Sequence, residues 1–61
     1  MFIDNFWIDN TEYIIIYKNG THELHERESW EEYGKTIATG TYKELRDKVE
    51  EIKIAYLESL F

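Results

Sequence analysis

Residues 12–25 read Glu-Tyr-Ile-Ile-Ile-Tyr-Lys-Asn-Gly-Thr-His-Glu-Leu-His, and this stretch decides the fold. Tyr13–Tyr17 is an unbroken run of β-branched and aromatic side chains, which pack well on a pleated surface. An uninterrupted apolar run implies burial on both faces, or a central place in a sheet. Asn19-Gly20 supplies the turn. Both central residues of a type I′ hairpin turn need positive φ, and Asn-Gly reaches that conformation at least cost. A two-residue turn there pairs Lys18 with Thr21, Ile15 with Leu24 and Glu12 with Arg27. Tyr13, Ile15, Tyr17, His22 and Leu24 then share one face, the better core. Ile14, Ile16, Glu23 and His25 share the other, which suits a second contact surface.

Upstream, residues 2–8 (Phe-Ile-Asp-Asn-Phe-Trp-Ile) have strand composition, weakened by Asn5 and by an echo of the pattern at 7–10. Asp9-Asn10-Thr11 reads as a turn. Downstream, Ser29-Trp30-Glu31-Glu32 has the spacing of a capping box, and Gly34 can close a turn in a left-handed conformation. Those signals predict one helical turn at 30–33. Residues 35–39 read as a short edge strand. Thr41-Tyr42-Lys43-Glu44 is a second capping box, and a helix is expected from about Tyr42 to Leu60. Its apolar residues Leu45, Val49, Ile52, Tyr56 and Leu60 recur at spacings of three and four. Ile54, Leu57 and Phe61 form a second, narrower line. The expected architecture is one α+β domain over 1–61: an antiparallel sheet of three or four strands, a short helical turn and one C-terminal helix.

Sixty-one residues without cysteine or proline leave a thin core and exclude disulfides and thiolate metal sites. The ten aromatic residues exceed what such a core can hide. Ile14, Ile16, Ile54, Leu57 and Phe61 are accordingly the expected interface of a homodimer. The net charge is −6. Residues 1–39 carry eight acids against three bases, a balance of −5, and residues 40–61 carry −1. Such a surface repels phosphate backbones and attracts basic proteins, so direct nucleic-acid binding is not expected and a partner with a basic or DNA-binding face is. No basic segment followed by an apolar run opens the chain, and no stretch approaches a membrane span. A cytoplasmic location without membrane contact is expected.

Little here supports catalysis. His22 and His25 are three apart on a strand, so they point to opposite faces and cannot chelate one ion together. Glu26, Glu28, Glu31 and Glu32 lack the cleft that a catalytic carboxylate pair needs. There is no Gly-rich phosphate loop and no serine nucleophile motif. No catalytic residue, metal or cofactor is expected, and a binding protein is expected over an enzyme.

The informative patch is Glu28-Ser29-Trp30-Glu31-Glu32-Tyr33-Gly34. Aromatic and acidic residues together suit a partner that presents an apolar side chain within a basic face. Trp30 and Tyr33 could equally close one end of the core. Glu26, Glu28, Trp30, Glu31, Glu32 and Tyr33 are the candidate partner-binding residues.

With these pieces in order (Tyr13–Tyr17, Asn19-Gly20, Thr21–Glu28, then Ser29 to Gly34), residues 1–36 resemble the short uracil-DNA glycosylase inhibitors of phages. The resemblance implies a dimer whose groove takes up an apolar side chain from the glycosylase's DNA-inserting loop, while acids imitate DNA phosphates. It would set Trp30, Glu31 and Tyr33 at that groove. The chain departs from the family in its shorter aromatic-to-Tyr-Gly segment and in ending with a helix instead of a strand. The expected function is a DNA-mimicking inhibitor of a host DNA-acting enzyme, most specifically uracil-DNA glycosylase. The alternative is another small phage-type inhibitor, such as an anti-CRISPR, or an antitoxin-like regulatory partner.

Overall fold

The computed structural model describes all 61 residues. Strands β1 (Phe2–Ile8), β2 (Thr11–Lys18), β3 (Thr21–Glu28) and β4 (Lys35–Gly40) precede one helix, α1 (Tyr42–Ser59). The strands form a single antiparallel sheet in sequence order, β1-β2-β3-β4. No helix is long and apolar enough to cross a membrane.

The central hairpin has the expected register: Lys18 faces Thr21, Ile15 faces Leu24 and Glu12 faces Arg27. Asn19 (φ 52°) and Gly20 (φ 81°) supply the two positive φ values of the turn. Residues 2–8 do form a strand despite Asn5. Asn5 sits opposite Ile14 on the edge strand, and its side-chain amide donates to Glu12 Oε2 at 2.9 Å. A hydrogen bond on the pleated face offsets the low β-propensity of asparagine. β1 is irregular only between Phe2 and Asp4. Asp9 (φ 56°) makes the tight turn into β2.

The helix packs on one face of the sheet. Tyr13, Ile15 and Leu24 from the hairpin meet Leu45 and Val49 from α1, and these five are the only buried residues. Phe6, Ile8, Ile37, Ala38, Tyr42 and Ile52 pack around them, partly exposed. The face with Ile14 and Ile16 has no second layer, and both isoleucines remain half-buried among their own sheet neighbours. The result is flat, 40 × 26 × 15 Å.

Both halves of the Thr41 capping box are present. The Thr41 hydroxyl accepts from the Glu44 N–H, and the Thr41 N–H donates to Glu44 Oε1. This reciprocal pair starts α1 where the sequence placed it. The Ser29 box does not form, and residues 29–34 are a loop, not a helical turn. The Ser29 N–H donates instead to the Asn10 carbonyl at 2.8 Å. The Glu31 carboxylate accepts from the Glu28 N–H at 3.0 Å, and the Glu31 N–H donates to the Glu28 carbonyl at 2.9 Å. A four-residue window cannot repay helix nucleation when these alternatives are available. Gly34 is not left-handed, and its lack of a side chain serves close approach. A Cβ there would lie 2.9 Å from the Glu26 carbonyl oxygen and 3.2 Å from Arg27 Cβ.

Candidate functional site

Strand register sets which features share an end of the molecule. Thr11 pairs with Glu28, so the β1–β2 turn and the 29–34 loop project from one end of the sheet. The Asn19-Gly20 turn and the start of α1 lie at the other, where His22 pairs with Gly40.

On the 29–34 loop, Trp30 and Tyr33 are 75% and 79% exposed. Neither closes the core. Of the two roles the sequence allowed these aromatics, burial at the end of the core is therefore the one they do not take. Arg27 fixes the loop beneath them. Its guanidinium donates to the Glu31 carbonyl at 2.6 Å, and to Glu12 Oε1 through Nη2 at 2.7 Å and Nε at 3.1 Å. Glu12 also accepts from Asn5, and its carboxyl is held below its usual value of 4.5 by that hydrogen bond first and by Arg27 second. Arg27 additionally lies over the Trp7 ring, 5.9 Å from its centroid. A loop tied in this way presents its aromatics with part of their conformational entropy already lost, which favours binding.

The acids near the loop are not equivalent. Glu26 accepts from the Tyr13 hydroxyl at 3.1 Å and lies 3.7 Å from Lys35 Nζ. Glu28 accepts from the Thr11 hydroxyl at 2.9 Å, and Glu31 caps the turn as described. Glu32 has no hydrogen bond or ion pair and is exposed. Tyr13 shows the cost of its surroundings: burial first, and the Glu26 carboxylate second, push its hydroxyl up to about 12.

The two histidines separate as their spacing requires. His22 lies edge-on between Tyr17 and Tyr42, with ring centroids 5.0 and 6.0 Å away. His25 is on the opposite face, where its Nε2 meets Glu23 at 3.0 Å and Thr36 at 3.2 Å.

The residues expected to form one dimer interface fall into two sets. Ile14 and Ile16 are on the open sheet face, while Ile54 and Leu57 are on α1 and Phe61 just past its C-cap, about half to fully exposed. A feature the sequence did not signal lies beside the second set. Between β1 and the C-terminal half of α1 runs a groove of about 420 Å³, lined by Phe6, Ile8, Val49, Tyr56, Leu57 and Leu60. Comparison of the chain with protein families, with curated proteins and with solved structures found no match.

Proposed function

We propose that this chain is an acidic binding protein that occupies the DNA-binding face of a DNA-acting enzyme, with uracil-DNA glycosylase as the first target. The observation that carries this reading is the exposure of Trp30 and Tyr33 beside the exposed acids Glu31 and Glu32 on one tethered loop. Exposed aromatics rimmed by polar residues mark an interaction surface. Tryptophan and tyrosine are favoured interface anchors because they bury much area with few rotatable bonds. The acids around them define the partner. A surface with a balance of −5 over residues 1–39 is steered toward a basic face, and a clustered basic face is the electrostatic footprint of a nucleic-acid-binding site. In this reading the acids speed encounter and orient the chain, and Trp30 with Tyr33 holds it there.

Immobilised protein exposed to bacterial lysate tests the class of partner. Under this proposal the retained protein is a DNA-acting enzyme, and added duplex DNA releases it. A retained protein that DNA does not displace would contradict site occlusion and favour an anti-CRISPR-like or antitoxin-like regulator.

A further inference from the structure

Three observations concern the groove flank and not the 29–34 loop. First, the protomer buries only five residues, and the C-terminal end of α1 carries exposed apolar side chains: Leu57 is 47% exposed, and Leu60 at the C-cap 61%. Second, the charge on this flank is balanced where the rest of the molecule is acidic. Arg46 and Lys53 line the groove together with Asp9 and Glu50. Third, Glu50 and Lys53 form no ion pair within the protomer, whereas Arg46 is already engaged over Phe6 and near Asp4.

We infer that this flank, the β1–α1 groove with Leu57 and Leu60, binds a second copy of the same chain through a two-fold contact. A two-fold interface uses one patch on both copies, so the patch must be self-complementary in shape and in charge. This one holds both a groove and the apolar side chains to fill one. It also holds an unpaired acid and an unpaired base one helical turn apart. Two helices crossing antiparallel about the axis set Glu50 of each copy against Lys53 of the other, and each Leu57 against the other's groove. An acidic molecule repels its own copy over most of its surface, and the neutral flank is where two copies can approach. The open sheet face cannot join the same contact, because Ile14 and Ile16 lie on the side of the sheet away from α1.

Sedimentation velocity over a range of concentrations tests this with the full chain. The wild-type protein is expected to dimerise. Lys53→Glu and Glu50→Lys are each expected to weaken dimerisation by at least about tenfold, the scale of a lost close charge pair that becomes a repulsion. Mixing the two variants should restore a dimer, because one now carries two acids and the other two bases at the contact. Circular dichroism confirms that each variant keeps its helix, and the mixing experiment itself shows that both remain competent. A wild-type monomer at all concentrations would overturn the inference. So would a dimer that both single variants leave intact, or two monomeric, folded variants that fail to combine when mixed. Dimerisation abolished by Ile14→Glu and unaffected by Leu57→Glu would assign the contact to the open sheet face instead.

Discussion

Trp30 and Glu12 show two ways in which a side chain at this end of the molecule can matter. Trp30 rests on nothing in the core, so Trp30→Ala should change folding stability by no more than about 0.5 kcal/mol, as for other exposed sites. The same substitution should weaken partner binding by about 2 kcal/mol or more, through faster dissociation, if it is an interface anchor. Thermal denaturation and surface plasmon resonance separate the two effects. Glu12 is the reverse case. Its carboxyl is held below 4.5 by Asn5 and then by Arg27. A depressed carboxylate contributes stability above its unfolded pKa and loses it as pH falls through the lower folded value. Glu12→Gln should therefore lower the melting temperature at neutral pH, and the difference from wild type should shrink below about pH 4, near the ordinary carboxylate range. Equal acid sensitivity in the two proteins would mean the Asn5–Glu12–Arg27 chain of hydrogen bonds contributes nothing to the fold.

The elements divide by how local their determinants are. The β2–β3 hairpin was legible because Asn19-Gly20 needs only its own two φ values, and every pairing from Thr11–Glu28 to Lys18–Thr21 follows from that turn. The start of α1 was legible for the same reason, since Thr41 and Glu44 satisfy each other's backbone across three residues. Thr41→Ala should accordingly cost about 0.5–2 kcal/mol, seen as a lower midpoint in thermal denaturation followed by circular dichroism. The Ser29 box has the same spelling and fails, because Asn10 takes the Ser29 N–H and Glu31 turns back to Glu28. Asn10 lies nineteen residues before Ser29, in the β1–β2 turn, and only the folded sheet brings the two together. β1 was uncertain because Asn5 is a poor strand residue until Glu12 is placed opposite Trp7, two residues along on the same face. The groove was not legible at all. It depends on how α1 is seated across the sheet, which no spacing in the sequence records. Glu26 faces Tyr13 in the register that the turn sets, and the hydrogen bond between them draws a candidate contact residue into the structure.

At the scale of the molecule, charge and apolar surface are sorted. The 29–34 loop is acidic and aromatic, and the β1–α1 flank is apolar and balanced in charge. In the proposed reading the first meets a basic partner and the second a copy of the chain. Exposed charges act at long range and are screened within about 10 Å at 0.1 M salt. Replacing Glu31 and Glu32 together by glutamine should thus slow association and flatten its salt dependence, with little change in the dissociation rate. Stopped-flow binding at two ionic strengths reads both. The most direct test of the central claim is uracil excision from a labelled duplex by a bacterial uracil-DNA glycosylase, with this protein titrated in. Loss of excision as the protein reaches the enzyme's concentration, with Trp30→Ala shifting the curve to higher concentration, is the result predicted. Full excision in the presence of a large excess of the protein would contradict it.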